Sequence, residues 1–416
     1  MSTEVLYAGQ LVVVLVGGVL GGFAPTAALL AVLIAAPIRV EVFADVQIAT
    51  LLLLGAVAGR APAIVRVLRE EPVLLFATLA FPLWIVASSA WAHQAWFVFP
   101  LAAKWLVVTL AAWLAAADRT ADPRILVAGA FVAMVPHALW GVGERLQIIT
   151  PLGEREVLVN RAIIVEGELR GRALFWHPNR LGEFVEQIGL FLAGAGLGGV
   201  LPWLCSAGVA IGLLGVWGTG SNGSMATLGG GMLLVAAWMY GARASLRVKR
   251  GALWLGGLAL LGAAAVGYWA LHTHGGLGPR TRVFAFAANL IREHPWLGVG
   301  GGNWSLIVGA ADLKMSRFWF RGHAHSLPLH VWAELGAIGL ALTAALFAAP
   351  LWSAGRRFGG VSRAWYGIGV GAAFAVLGLL AHNVVHYFLR DAVDGIVMGL
   401  LLGTTVAVAR REATSP

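Results

Sequence analysis

Long runs of apolar residues, separated by short polar segments, fill most of this 416-residue chain. Most runs approach or exceed about 18 residues, the length that an α-helix needs to cross the hydrocarbon core of a bilayer. Gly21, Gly22 and Pro25 interrupt the opening stretch, so its halves are either two short spans or one interrupted element. The pattern therefore predicts about 12 or 13 spans. The predicted spans are 5–21, 24–37, 43–58, 73–90, 97–117, 124–147, 180–196, 200–217, 223–242, 251–271, 328–351, 364–386 and 392–409.

This pattern predicts an all-α, polytopic membrane helix bundle, with residues 1–416 forming a single integral membrane domain. The composition agrees, because 59% of the residues are hydrophobic and 12% are charged, with a mean hydropathy of +0.82. Such values exclude an ordinary soluble globular domain. The first apolar run is followed by more of the same, so no cleaved signal peptide is expected. The single cysteine, Cys205, lies in an apolar run and has no partner for an intramolecular disulfide.

The distribution of arginine and lysine predicts the orientation of the bundle. Four short basic segments fall on one face under this span assignment, which makes that face cytoplasmic by the positive-inside rule. These segments are 59–71, 243–250, 353–363 and the tail that carries Arg410 and Arg411. Two longer polar segments then fall together on the opposite face, at about 150–179 and 272–327. We expect these two outer segments to form the active region.

The outer segments carry local structural signals of their own. Residues 157–159 and 162–165 are strand-like, whereas Val283 to Arg292 has a helical pattern that His294-Pro295 should end. The outer region is therefore predicted to be partly helical. Gly300, Gly301 and Gly302 follow Pro295 rather than a strand, which favours a turn over a nucleotide-binding loop.

Both outer segments are rich in arginine, against the positive-inside trend, and acidic partners are sparse in the second. A planar guanidinium group can bind two phosphate oxygens at once through two parallel hydrogen bonds, so the cluster predicts an anionic ligand. The alternative for any single arginine is an ion pair with a glutamate of the first segment, and arginine is also the usual cation of this chain. The arginines are Arg155, Arg161, Arg170, Arg172 and, at the edge, Arg180 in the first segment, and Arg280, Arg282, Arg292, Arg317 and Arg321 in the second.

A histidine-bearing loop end at 323–330 runs directly into a long apolar helix. His325 is thereby placed at the membrane surface, where an imidazole that titrates near neutral pH can move a proton. The alternative is a histidine that is merely hydrogen-bonded at a helix entrance. Ser326 is a candidate N-cap, Pro328 suits the first turn, and His330 and Glu334 share a helix face.

Metal and cofactor sites are not expected. The histidine pairs in the chain have no nearby cysteine and few acidic residues within reach, so a metal site is disfavoured. No cofactor and no nucleic-acid partner is predicted. The pairs are His272 and His274, His323 and His325, and His382 and His386.

A pattern of His-(Asn/Ser)-x-x-Leu, an acidic residue and Gly-x-x-Gly is formed by His325-Ser326, Leu329, Glu334, Gly336 and Gly339. In this pattern, residues 150 to 400 most strongly resemble the O-antigen ligase and O-antigen polymerase superfamily of bacterial envelope glycosyltransferases. A second pattern is an arginine ahead of a Pro-Leu-x-Gly-x-Gly turn. It matches Arg280, Phe284 and the run from Pro295 to Gly300, with Trp296 in place of the usual leucine.

A third pattern, an arginine ahead of Phe-x-His-Pro-Asn, matches Arg170, Phe175 and 177–179. The family often has Ser-Arg before a glycine in its mid-chain helix, whereas this chain has Ser221-Asn222-Gly223. Arg161 and Arg172 are candidates to take over anion binding from that position.

The resemblance implies a GT-C-like membrane bundle that transfers a glycan from undecaprenyl diphosphate to a sugar hydroxyl of lipid A–core. It implies an inverting, metal-independent reaction at the periplasmic face of a Gram-negative inner membrane, with membrane lipids around the helices. His325 would be the general base, supported by His323 and Glu334. The implied substrate-binding residues are Arg161, Arg170, Arg172, Asn179, Arg280, Arg282 and Arg321.

Three alternatives remain open. An O-antigen polymerase would use the same donor. Polymerases often have a glycine eleven positions after an outer arginine, and Arg161, Arg170, Arg280 and Arg282 lack it. A protein O-oligosaccharyltransferase is a further relative. A transporter or flippase would instead use ionisable groups inside the spans. The candidates for such a path are Lys104, His137, Glu144 and His386.

Overall fold

The computed structural model describes residues 3–37, 47–149, 164–165, 168–175, 177–241, 278–310, 322–387 and 392–411. Within these residues the chain is almost entirely helical. The helices are α1 (Thr3–Phe23), α2 (Pro25–Ala35), α3 (Ile48–Glu70), α4 (Pro72–Ala87), α5 (Val98–Ala116), α6 (Pro123–Arg145), α7 (Pro178–Leu197), α8 (Pro202–Thr219), α9 (Asn222–Gly241), α10 (Gly278–Glu293), α11 (Trp304–Ala310), α12 (Leu327–Gly355), α13 (Arg363–His382) and α14 (Ala392–Ala409). Two short strands, β1 (Ile164–Val165) and β2 (Glu168–Leu169), pair antiparallel.

The predicted membrane bundle is confirmed. Seven helices in the described residues are long and apolar enough to cross a membrane, and three shorter apolar helices accompany them. The chain is a polytopic helical membrane protein, and its helices follow the predicted spans closely. The predicted span 251–271 lies outside the described residues. The opening stretch is two helices, because α1 ends at Phe23 and Pro25 begins α2 after a single residue.

One boundary prediction was wrong. We expected a loop at 59–71, but α3 continues as a helix to Glu70 and carries the arginines of that segment on its last turns. The apolar pattern ends near residue 58, and charged residues of good helical propensity extend the helix beyond it. Pro62 lies inside α3 without ending it.

Three of the four basic segments meet at one end of the bundle, which we call the charged end. Arg119 Nη2 lies 2.8 Å from Glu70 Oε2, and Arg357 Nη1 lies 2.5 Å from Glu71 Oε1. Arg410 forms an ion pair with Glu70 as well. These contacts join α3, the turn after α5, the turn after α12 and the end of α14. The fourth basic segment, 243–250, lies outside the described residues.

The opposite end, which we call the outer end, gathers the described parts of both outer segments. Trp91 Nε1 donates to the carbonyl of Leu297 at 3.1 Å. Gly171 N donates to the carbonyl of Gly218 at 2.9 Å, and Leu327 N donates to that of Asn383 at 2.8 Å. The turn before α7 therefore lies beside the end of α8, and the start of α12 lies beside the turn that follows α13.

Helix α7 runs through the centre of the bundle and packs against α6, α8, α9, α13 and α14. Nearly all of its side chains are buried, including the polar residues Arg180, Glu183 and Glu186. A charged side chain inside a membrane bundle is costly unless it is paired, so these residues require partners on the neighbouring helices.

Helix α12 breaks at Gly336, whose φ of 71° and ψ of −175° leave the helical region. A side chain there would lie 2.0 Å from the carbonyl oxygen of Trp296, so only glycine fits. The N–H of Ala337 donates to the carbonyl of Pro295 at 2.9 Å instead of continuing the helix. The break thus joins α12 to the turn that follows α10.

Candidate active site

His325 lies in the last turn before α12, with its backbone in the left-handed region at a φ of 52°. This conformation is uncommon for a residue with a side chain, although histidine tolerates it better than most. Ser326 begins the helix as the predicted N-cap, since its hydroxyl accepts the N–H of Leu329 at 3.5 Å, and Pro328 occupies the first turn. The cap and the turn together fix where the half-buried imidazole of His325 is placed.

His323 holds this turn from inside. Its Nδ1 accepts the backbone N–H of His325 at 3.1 Å, and the two ring centroids are 4.1 Å apart. Burial lowers the pKa of His323 well below its usual value, and the nearby His325 and His330 lower it further. A neutral ring that accepts through Nδ1 carries its proton on Nε2. The structure therefore places a fixed, uncharged imidazole directly beneath His325.

The ring cluster continues from His323 to Tyr387. The His323 and Tyr387 centroids are 5.3 Å apart, and those of His330 and Tyr387 are 4.4 Å apart. Burial raises the pKa of the Tyr387 hydroxyl, and the carboxylate of Glu334 adds to the effect. Tyr387 is thus kept as a neutral phenol between the two imidazoles.

Glu334 holds the glycine-rich turn at 300–302 against α12 through hydrogen bonds. Its Oε2 accepts the N–H of Gly302 at 3.0 Å, and its Oε1 accepts the N–H of Trp304 at 2.7 Å. His330 Nε2 lies 3.5 Å from the same carboxylate, which confirms the predicted pair. Gly300 also donates to the carbonyl of Glu334 at 2.8 Å. The prediction of a turn at 300–302 is confirmed, and its N–H groups are committed within the protein.

Arg170 and Asn179 approach this cluster from the first outer segment. Arg170 Nη2 donates to Asn179 Oδ1 at 2.5 Å, and Arg170 Nε donates to the carbonyl of Thr219 at 2.6 Å. The amide of Asn179 in turn donates to His386 Nε2 at 3.3 Å. His177 caps α7 through its Nδ1, which accepts the N–H of Asn179. Hydrogen bonds therefore connect Arg170, His177 and Asn179, three residues of the third sequence pattern.

His386 joins the two halves of the site. Its ring centroid is 6.5 Å from that of His323, and its Nδ1 lies 3.0 Å from Glu183 Oε1. Burial lowers the pKa of His386, although the Glu183 carboxylate opposes that shift. A continuous row of polar side chains thus leads from His325 through His323, His386 and Asn179 to Arg170.

Burial also acts on the cation at the end of this row. It lowers the pKa of Arg170 to about 10, with the neighbouring Arg145 adding to the effect. Because this pKa is still well above neutral pH, the guanidinium of Arg170 remains charged. The side chain is half-buried, so its charge is partly shielded from solvent. Burial, together with the charge of Arg170, also lowers the pKa of His177 well below its usual value.

Of the other predicted arginines, the structure describes the side chains of Arg172 and Arg282. Arg172 is buried, and its backbone N–H donates to Glu144 Oε2 at 2.6 Å. Arg282 is exposed on α10, one residue before the buried Val283. The backbone of Arg280 lies in α10, but its side chain is outside the described residues, as are Arg161 and Arg321. The structure therefore brings His325, His323, Asn179 and Arg170 together and leaves the other arginines to be tested.

Sequence reasoning missed a buried ionic network next to the site. Arg180 Nη1 lies 2.9 Å from Glu183 Oε2 and 3.0 Å from Asp394 Oδ2, and Arg180 Nη2 donates to the carbonyl of Tyr387 at 2.7 Å. This arginine therefore ties α7 to the start of α14 and to the turn that carries Tyr387 and His386.

A second buried pair lies one turn further along α7. His382 Nδ1 is 3.0 Å from Glu186 Oε2. A signal for both pairs was present in the sequence. Charged residues at 180, 183 and 186 recur at helical spacing inside an apolar span, and His382 and His386 share a face of another. We considered the two histidines as metal ligands and His386 as part of a transport path, but did not predict their pairing with these glutamates.

The arrangement supplies three chemical elements at the outer end. One is a half-buried imidazole on a strained turn, the second is a neutral imidazole behind it, and the third is a charged guanidinium connected through an amide. An imidazole can accept a proton, and a guanidinium can stabilise developing negative charge.

Comparison with known proteins bears on this chemistry. Residues 207–344 match the family model described as O-Antigen ligase, and a search of curated proteins gave no match. The matched range contains His325, Glu334 and the break at Gly336, whereas Arg170 and His386 lie outside it. This similarity supports ligase- or polymerase-type glycan transfer by a multi-pass membrane protein. Through residues 207–344, the chain is thus similar to the O-antigen ligase family.

Proposed function

We propose that the protein is an O-antigen ligase. It transfers a glycan from undecaprenyl diphosphate to a sugar hydroxyl of lipid A–core. The lipid parts of both substrates lie against the helices, which accounts for a transferase that is almost entirely membrane-embedded. The reaction takes place at the outer end of the bundle, which faces the periplasm of a Gram-negative inner membrane. The ion pairs at the charged end support this orientation, because basic residues collect on the cytoplasmic side.

His325 is the proposed general base. A sugar hydroxyl is a weak nucleophile, so its proton must leave as its oxygen attacks the anomeric carbon. His325 takes that proton while the new C–O bond forms. The bond from the anomeric carbon to the diphosphate oxygen breaks, and its electron pair leaves with undecaprenyl diphosphate. Direct displacement inverts the anomeric centre and needs no covalent intermediate with the protein.

Arginine side chains stabilise the leaving diphosphate. Negative charge grows on the diphosphate as the glycosidic bond breaks, and a preoriented guanidinium binds it more strongly in a dry site than in water. Arg170 is the best-supported candidate, since Asn179 and the Thr219 carbonyl fix its orientation. Arg161, Arg172, Arg280, Arg282 and Arg321 are the further candidates for this role.

One observation carries the proposal: the row of polar side chains that connects His325 with Arg170 at the outer end. His325 and Arg170, from segments about 150 residues apart, lie at the two ends of this row, and His325 lies within the range that matches the family model. The transporter alternative lacks such support. Glu144 is used to accept the N–H groups of Arg172 and Ala173. The carbonyls freed at the break in α12 accept N–H groups of the adjacent turn.

Transfer of lipid-linked glycan to lipid A–core by the purified full-length protein, with a chelator present, tests the proposal. His325→Ala should lower the rate of transfer by a factor of about 100 to 10,000, the range expected for loss of a general base. Arg363→Ala, at an exposed position of the charged end, is the matched control and should transfer at the wild-type rate.

Three outcomes would contradict parts of the proposal. Normal transfer by His325→Ala removes the general base. Extension of the glycan on the donor lipid, with no labelling of the core, shows a polymerase instead. Dependence on an added divalent metal removes the arginine-only stabilisation of the leaving group.

A further inference from the structure

We propose that an aromatic cleft at the outer end binds a sugar ring of the glycan substrates. The cleft has a volume of about 590 Å³ and is lined by Trp91, His93, His294, Trp296 and the turn that follows Trp296. Clefts of this size with aromatic walls and a few polar groups are typical small-ligand sites. This inference rests on the proposed function, since it names where that function holds part of its substrate.

The walls of the cleft are built on hydrogen bonds that fix the neighbouring indoles. Trp91 Nε1 donates to the carbonyl of Leu297 at 3.1 Å, and Trp332 Nε1 donates to that of Pro295 at 3.0 Å. Trp84 packs against Trp91 in a tilted arrangement, with ring centroids 5.3 Å apart. Trp91 is therefore a fixed wall, and the turn 295–298 is held from both sides.

Trp296 is the exposed face of the cleft. Its side chain is 70% exposed, although the turn that carries it is rigidly held. A large exposed indole on a fixed turn has no packing role in the described residues that would account for it. It offers a flat apolar face to a ligand.

The chemistry of the lining selects a neutral, hydroxyl-rich ligand. Indole faces pack against the C–H groups of a sugar ring, and the imidazoles of His93 and His294 can donate to or accept from its hydroxyls. Among the described residues that line the cleft, none is an arginine, lysine or carboxylate. A phosphate or a cation would find no charged partner there, and a lipid tail would leave the imidazoles unbonded.

The cleft adjoins the proposed base. Val299 and Ile307 line the cleft on one side and pack on the other against a small apolar cluster that contains Ala324 and Ala333. Ala324 is the residue before His325. Val299 N also donates to the carbonyl of Ala333 at 3.1 Å. The cleft and the turn that carries His325 thus pack against the same apolar cluster. A sugar ring in the cleft belongs to a saccharide whose other residues extend towards the base.

The source of the sugar is either the donor glycan or the acceptor core, and two probes separate them. Lipid-free core oligosaccharide and lipid-free donor glycan are titrated separately against the full-length protein in nanodiscs, and binding is followed by isothermal calorimetry. Trp296→Ala should bind at least one of the two roughly tenfold more weakly than wild type. The oligosaccharide that loses affinity identifies the source.

Trp352→Ala is the matched control. Trp352 is 69% exposed, close to the value for Trp296, but it lies near the other end of α12. If exposed indoles serve only as an interfacial belt, both variants behave alike. Trp296→Phe keeps an aromatic face and should retain most of the affinity, which separates stacking from misfolding.

Failure of this inference differs from failure of the proposed function. Unchanged affinity of Trp296→Ala for both oligosaccharides overturns the cleft assignment, and so does undetectable binding of both to the wild type. Neither result touches transfer by His325. Conversely, a wild type that binds oligosaccharide through Trp296 but never labels lipid A–core retains the cleft and refutes the ligase.

Discussion

The Nδ1 atom of His323 accepts the backbone N–H of His325 at 3.1 Å, so one histidine fixes the main chain of the other. This bond holds His325 at a φ of 52°. A non-glycine residue in the left-handed region costs about 1–2 kcal/mol, and such strain persists only where surrounding contacts enforce it. The conformation of His325 therefore has a measurable cost that is separate from its chemistry.

Glycine and alanine at position 325 should separate that cost from the role of the imidazole. Both substitutions remove the ring and should lower the rate of transfer to the same extent. His325→Gly relieves the backbone strain, whereas His325→Ala retains it, so the glycine variant should be more stable by about 1 kcal/mol. Thermal unfolding in detergent measures the difference. Equal stability of the two variants would mean that the left-handed conformation is not strained.

The pKa of His323 predicts how stability depends on pH. Burial, with His325 and His330 nearby, lowers this pKa well below its usual value. The unfolded residue titrates near pH 6.5, so below that pH the unfolded chain binds a proton that the folded chain does not. Stability should be full above about pH 7 and should fall towards pH 5.

The variant His323→Gln should flatten this acid decline, because glutamine does not titrate. Melting temperatures from pH 5 to pH 8 provide the measurement. His93→Gln, at an exposed position, is the control and should keep the wild-type profile. An unchanged slope in His323→Gln would assign the decline to other groups.

Removal of the charge on Glu334 should loosen the glycine-rich turn. The carboxylate accepts the N–H groups of Gly302 and Trp304, and hydrogen bonds to a charged acceptor are worth more than neutral ones. Glu334→Gln keeps the shape but turns one acceptor into a donor that faces an N–H. We expect a loss of about 2 kcal/mol in stability. Glu293→Gln, on an exposed part of α10, should be neutral, and a similar loss in both variants would contradict this role for Glu334.

Arg180 should be among the most sensitive positions in the bundle. Arg180→Met leaves the carboxylates of Glu183 and Asp394 buried without their cation, which should cost about 3–5 kcal/mol. Denaturant or thermal unfolding of the full-length protein measures it, and Arg363→Met, at an exposed site, should change little. Adding Glu183→Gln to Arg180→Met should restore part of the stability. A further loss in the double variant would show that the two side chains are not coupled.

The sequence predicted what depends on local pattern. The spans follow from apolar runs, the cap at Ser326 follows from residue type and position, and the pair of His330 and Glu334 follows from helical spacing. Each of these involves residues close together in the chain, where backbone geometry alone determines proximity.

Contacts between distant parts of the chain were not predictable in this way. Arg180 meets Asp394 across 214 positions, and no periodicity reports which helices become neighbours. The break at Gly336 was hidden for a different reason, since the apolar pattern continues through it without change. We expected His325 and Arg170 to lie near each other only because of the family resemblance. The row of side chains between them depends on the packing of α7 against α13, which the sequence alone does not predict.

At the break at Gly336, backbone N–H groups of the turn that follows α10 donate hydrogen bonds to carbonyl groups of α12. The carbonyls of Ala333 and Glu334 would serve later residues in an unbroken helix, but here they accept Val299 and Gly300. Adding or deleting a single residue between 295 and 301 would therefore misalign both partners at once. That coupling makes the length of this turn as strictly determined as the identity of its side chains.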